Sequence, residues 1–342
     1  QEIIETSTFR APASNGHETD EHGRILRDNQ FGTNEEDAAR RDFTLNALYY
    51  DPIREEVIDY HRGVADLKKR VVRIIGNPET RYREDPVRML RAVRFAAKLN
   101  ATIDPATLAP IQSMAHLISN VPSSRLFDEV IKLLTCGHAI DCLKQLKTLD
   151  LHQHLLPFID SIFNHPEHFR FLELALDRTD ARVRTGKSIS PGFLFASLLW
   201  KLVKDEWDSN QKEGLPRVQA LVEAADTVIN NQAANLAIQR RFQADMREIW
   251  FMQPRFERAT PRSIWRLLEH PRLRASVDFL QLRAEAHEVD SVDAQWWMDL
   301  TNADTEKRPA MIEEYQRDKR GGRPGAGKSG NRRRRRPRRK AP

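Results

Sequence analysis

Before Gly76 the apolar residues fall in short runs, and from Glu79 onward they recur at helical three- and four-residue spacing; this change of period limits the fold more than any other feature. In the first helical segment Val87, Leu90, Ala92, Val93, Phe95 and Ala96 supply the apolar positions, with Arg88, Arg91 and Arg94 three residues apart between them. Further helices are expected near 105–119, 122–136, 138–149, 167–176, 191–204, 215–230, 232–250, 261–269, 271–287 and 305–317, separated by Pro, Gly or short polar turns. Ahead of Gly76 the β-rich runs are Ile3–Phe9, Leu45–Tyr50, Val57–Tyr60 and Val71–Ile75, interrupted by Asp51-Pro52 and Gly63. The polar stretch from Arg10 to Gln30 lacks periodicity and reads as a long loop. The expected architecture is a small α+β head followed by an irregular, mostly all-α array, without a fixed repeat.

The net charge of +6 is unevenly spread: residues 317–340 hold 13 Lys and Arg against Asp318 alone, so the rest of the chain is acidic. The run Arg332, Arg333, Arg334, Arg335, Arg336, then Arg338, Arg339 and Lys340, has no apolar surface to bury and is expected to be a disordered basic tail. Its natural ligand is a polyanion, because each neutralised phosphate releases counterions; a purely solubilising role is the alternative. Two cysteines make neither a disulfide framework nor a Cys-rich zinc site, which points to a reducing cytoplasm. The longest apolar stretch, Phe193 to Trp200, falls well short of the ~20 residues of a membrane span. Starting at Gln1 with no basic-then-apolar leader, the sequence reads as a processed or partial chain.

Two segments carry candidate chemistry. In Glu35-Glu36-Asp37-Ala38-Ala39-Arg40-Arg41-Asp42-Phe43-Thr44-Leu45-Asn46 an arginine pair and a carboxylate stand before a β-rich run, suited to phosphate and to a metal or hydroxyl. From the residues alone, an internal salt-bridge cluster is an equal alternative. In Arg81-Tyr82-Arg83-Glu84-Asp85-Pro86-Val87-Arg88 the three-residue spacing puts Asp85 and Arg88 on one helix face, where they could imitate a Watson–Crick partner for adenine. Asp before Pro is also an ordinary helix start.

Together with Val57-Ile58-Asp59-Tyr60, Gly63 and Asp66-Leu67 between them, these segments closely resemble the motifs of the bacterial poly(A) polymerase and CCA-adding nucleotidyltransferase family. The motifs cover roughly residues 1–100, and Pro191–Trp200 and Arg262–Glu285 look like the poly(A) polymerase branch. The resemblance implies the C-terminal part of a nucleotidyltransferase head, an incomplete palm, at 1–76; neck helices that bind nucleotide and RNA at 77–150; an RNA-binding helical body at 151–316; and the tail at 317–342. It implies Asp42 and then Glu5 as acidic active-site residues, with Glu5 a candidate metal ligand. Arg40, Arg41, Asn46 and Arg91 would bind nucleotide, and Glu84, Asp85 and Arg88 would read the base. The implied chemistry is transfer of AMP from ATP to an RNA 3′-hydroxyl with release of pyrophosphate, on Mg²⁺ ions held by carboxylates, marking RNA for decay. The family's glycine-rich turn and Asp-x-Asp strand do not occur here, so the chain as it stands is expected to be inactive. A CCA-adding enzyme and a non-catalytic RNA-binding module are the competing readings. Charge alone suggests RNA-degradation proteins as further partners.

Other signals are weaker. Gly322 to Ser329 spells a P-loop but lacks the strand and helix such a loop needs. His152 and His154 read as ordinary histidines, and Phe193, Phe195, Trp200, Trp265 and Phe279 as core rather than RNA contacts. Arg266, Arg272, Arg274 and Arg283 fit either a phosphate track or a solvated face.

Overall fold

A computed structural model describes Ile4 and residues 6–11, 31–233 and 235–320. The head begins with α1 (Asn34–Arg40), whose Thr33 closes a capping box with Glu36. Strand β1 (Leu48–Asp51) pairs antiparallel with β2 (Glu56–Asp59), Leu48 opposite Asp59. The turn into α2 (Gly63–Lys69) is held by Asp59, whose carboxylate accepts the backbone N–H groups of His61, Gly63 and Val64. Gly63 is required there by close approach: a Cβ would stand 2.2 Å from the Thr44 carbonyl oxygen.

Strand β3 (Val71–Val72) pairs in parallel with β4 (Thr102–Ile103), which lies beyond two neck helices, so a sheet contact crosses the 76/77 division. Those helices are α3 (Pro78–Glu84) and α4 (Val87–Leu99). Pro86 separates them: it lacks an N–H and disfavours helical backbone in the residue before it, so Asp85 is extended, with φ −152° and ψ 96°. Arg73 ties the same junction, binding Asp66 at 3.1 Å and Asp104 at 2.6 Å.

The single helix expected over 105–119 is instead α5 (Pro105–Leu108), α6 (Ile111–Met114) and a 3₁₀ segment, Ala115–Asn120, since Pro105 and Pro110 each start a new turn. Next come α7 (Ser123–Leu134), α8 (Ala139–Thr148), α9 (Ile159–Phe163), α10 (Pro166–Arg184), α11 (Pro191–Lys212), α12 (Arg217–Ala233) and α13 (Arg240–Glu257). A continuous core from Phe43 to Leu282 joins head, neck and most of the body. A second core brings the end of α13 against α14 (Pro261–Leu268), α15 (Leu273–Glu285), α16 (Ser291–Asn302) and α17 (Arg308–Arg320). The helix α16 was not expected. Leu45, read as strand, belongs to a 3₁₀ turn over Thr44–Asn46. The fold is thus a small α+β head on a mostly helical neck and body.

Candidate functional site

The arginine pair sits at the end of α1, where Asp37 is buried beneath it. Asp37 accepts from Arg41 Nη2 at 2.9 Å, Tyr49 Oη at 2.7 Å and the Arg10 backbone N at 3.2 Å. Burial pushes this carboxyl up, but the three donors outweigh it and hold it below the usual carboxylate range. Arg41 is therefore anchored by its own helix. Arg40 is different: burial, and then repulsion from Arg10, Arg41 and Arg88, pulls its pKa down. Guanidiniums from the head and from α4 thus act against the charge of Arg40, a repulsion that a bound anion would offset.

Asp42 has both oxygens engaged. Oδ1 accepts from the Phe43 backbone N and from Asn46 Nδ2, each at 2.9 Å, and Oδ2 accepts from Arg91 Nε at 2.5 Å. Arg91 also lies over the Phe95 ring, 5.2 Å from its centroid, and Phe95 meets Phe43 edge-on at 5.7 Å. The Asp42–Arg91 pair thus rests on an aromatic contact between the same two elements.

Arg81 makes a second bridge between head and neck. Its Nη2 donates to the carbonyls of Arg40 at 2.6 Å and Arg41 at 2.7 Å, while Nη1 donates to Glu84 Oε2 at 2.8 Å. Glu84 Oε2 also accepts from Arg88 Nη1 at 2.9 Å, and the same Nη1 reaches the Arg81 carbonyl at 2.7 Å. Asp85 and Arg88 do not share one continuous helix face, because the chain is extended at Asp85. Asp85 Oδ2 instead accepts from Arg125 Nη2 of α7 at 2.6 Å, and Oδ1 faces the Val87 N–H at 3.3 Å.

Arg40, Arg41, Asp42, Asn46, Glu84, Arg88 and Arg91 are therefore brought into one neighbourhood, and Asp85 joins it through Arg125. Sequence reasoning missed Arg10, Arg81 and Arg125 as members. Arg125 is 40 residues from Asp85 and has no local signal; Arg81 stands in the quoted motif, but only the fold aims it at two carbonyls. Glu5, Arg332–Arg336, Arg338, Arg339, Lys340 and the P-loop-like segment lie outside the described residues. No group of three His, Cys, Asp or Glu fit for a metal occurs among the described residues, and Asp42 has no oxygen left uncommitted. The described residues thus do not fit a magnesium site. His152 is buried and held by Asp160 at 3.0 Å, an ordinary structural histidine.

The whole chain is 41% identical to a poly(A) polymerase I of Salmonella typhi and spans 74% of that protein. The chain belongs to the poly(A) polymerase family. Three family models match it: the Poly A polymerase head domain over residues 1–73, the Probable RNA and SrmB- binding site of polymerase A over 100–163, and the Polymerase A arginine-rich C-terminus over 213–340. A CCA-adding enzyme of Levilactobacillus brevis is 46% identical, over 36% of this chain and 31% of that protein. In fold the chain is similar to a tRNA nucleotidyltransferase solved with a primer tRNA and an incoming ATP analog, with a TM-score of 0.51 and 19% identity over 79% of this chain and 74% of that one. As a member of the poly(A) polymerase family it is a polynucleotide adenylyltransferase by class, with a nucleotidyltransferase head on a helical body. Among the described residues no helix is long and apolar enough to cross a membrane.

Proposed function

We propose that this chain supplies the ATP-binding and RNA-binding surfaces of an enzyme that adds adenylates to RNA 3′ ends without a template. The observation that carries this reading is the joining of the Arg40–Arg41 pair to the Glu84–Arg88 segment by Arg81, whose guanidinium binds both arginine carbonyls and the Glu84 carboxylate that also holds Arg88. Arg40 and Arg41 hold the triphosphate. Arg88, whose Nη1 is fixed by Glu84 and the Arg81 carbonyl, donates a remaining N–H to the adenine ring nitrogen, and Asp85, whose Oδ1 has only the long 3.3 Å contact to the Val87 N–H, accepts from the adenine amino group on that oxygen. Asp42, oriented by Asn46, keeps Arg91 and the neck in register with the head. The RNA 3′-oxygen attacks the α-phosphorus, the bond from that phosphorus to the pyrophosphate oxygen breaks, and the hydroxyl proton passes to solvent water.

Magnesium accompanies ATP in this proposal, but with both Asp42 oxygens engaged no step is assigned to it on the described residues. The basic tail adds grip on varied RNA; decay of the tailed RNA, RNA-degradation proteins as partners and a cytoplasmic setting belong to the same reading. Identity over the whole chain to poly(A) polymerase I, against about a third of it to CCA-adding enzymes, favours poly(A) synthesis. The test is incubation of the full-length protein with a generic RNA and each nucleoside triphosphate. Long A tails support the reading, and a product that stops after CCA on tRNA rejects it.

A further inference from the structure

Trp200, Trp207, Trp250 and Trp297 are buried, and each donates its indole N–H inside the fold, to Glu288, Arg217 O, Ala196 O and Phe256 O. Trp265 is 40% exposed and its N–H has no partner among the described residues. The helix explains the exposure. α14 is fixed at its start by the Thr260–Ser263 capping box and turns Ile264 and Leu267 into the second core, so Arg262, Trp265 and Arg266 share the outward face. Across from them α17 lays Pro309, Ile312 and Arg317, leaving a groove of about 470 Å³ in which Glu313 is the one acid.

The charges here are also unlike those nearby. Arg247, Arg272, Arg274 and Arg283 are held by Asp226, Asp245, Asp278 and Glu288. Arg258, Arg262, Arg266 and Arg317 are exposed and make no ion pair among the described residues. An open indole flanked by uncommitted guanidiniums matches an unpaired nucleobase flanked by phosphates, because every base offers a face for stacking.

We propose that the groove between α14 and α17 is a binding subsite for single-stranded RNA, with one base stacked on Trp265 and the adjoining phosphates on Arg262, Arg266 and Arg317. The proposal rests on the reading of this chain as one that acts on RNA. Charge favours RNA as occupant: in sequence α17 continues into the arginine-rich run, whose natural ligand is also a polyanion.

The test is fluorescence anisotropy of a labelled oligoadenylate of roughly fifteen nucleotides, without nucleoside triphosphate. Trp265→Ala is expected to weaken binding by about 5- to 100-fold, and Trp265→Phe to keep most of it. Arg262→Gln with Arg266→Gln is expected to flatten the log–log salt dependence by about 0.7 per residue. Should Trp265→Ala unfold the chain, that slope decides the matter. Affinity indifferent to Trp265 and a slope indifferent to both arginines would overturn the proposal. So would an effect of Trp265→Ala that disappears in a chain ending at residue 320, for the groove would then hold the protein's own tail. If the parent chain binds no RNA at all, the functional reading fails; if it binds RNA without regard to this groove, only the subsite does.

Discussion

Arg91 Nε stands 2.5 Å from Asp42 Oδ2, an ion pair between the neck helix and the carboxylate that follows the arginine pair. The head and neck motifs are thus joined directly rather than only through a ligand. The side chain of Asp42 is 11% exposed and that of Arg91 27%, so water screens the pair only in part, and Asn46 fixes the remaining Asp42 oxygen.

This pair predicts thermodynamic coupling. Asp42→Asn and Arg91→Gln, singly and together, are expected to show an interaction energy of about 1–3 kcal/mol in urea unfolding. Strict additivity would mean that the contact contributes no stability.

Arg81 holds two head carbonyls and Glu84 with one guanidinium. Lysine lacks the planar fork, so Arg81→Lys is expected to cost about 1–3 kcal/mol and to weaken ATP binding as the Arg40–Arg41 backbone loosens. Thermal melting and ATP titration of the same variant check both effects. Unchanged values for both would remove Arg81 from the head–neck bridge.

Gly63→Ala sets a methyl group against the Thr44 carbonyl oxygen at 2.2 Å. Because the obstacle is backbone, the helix α2 must shift, and a loss of about 1–3 kcal/mol is expected. A melting temperature equal to the parent's would show that α2 moves freely against the Thr44–Asn46 turn.

Acid should loosen the head through Asp37. Burial raises this carboxyl, but Tyr49, Arg41 and the Arg10 N–H together lower it by more, to a net position below the usual range. A carboxyl depressed in the folded state stabilises fully above its unfolded value of about 3.9, and that stability is lost as pH falls through the folded value. Between about pH 5 and about pH 2, parent stability should therefore fall more steeply than that of Asp37→Asn. Parallel curves would remove Asp37 from the acid response.

The helical body was legible because its boundaries are punctuated locally: Ser190-Pro191 and Thr260-Pro261 each supply a cap and a first-turn proline. Helix α16 was not, since Trp297 faces the core while its neighbour Trp296 stacks on Tyr315 of α17 with ring centroids 3.8 Å apart, and apolar bulk on two faces blurs the period. Leu45 read as strand, yet the Asn46 side chain reaches back to Asp42 and draws that stretch into a turn. At the site, the residue types were visible in sequence, but their pairing was not. Arg125 and Arg81 find partners 40 and 41 residues away, a distance at which periodicity carries no information.

The most direct test of the account compares ATP with GTP and CTP binding in the parent, in Asp85→Asn and in Arg88→Gln, with Arg40→Gln as the control for the phosphate cluster. Arg40→Gln is expected to weaken all three nucleotides alike, whereas Asp85→Asn and Arg88→Gln should erase the preference for ATP. If both of these variants discriminate ATP from GTP as well as the parent does, adenine is not read by the Glu84–Arg88 segment and the account is wrong.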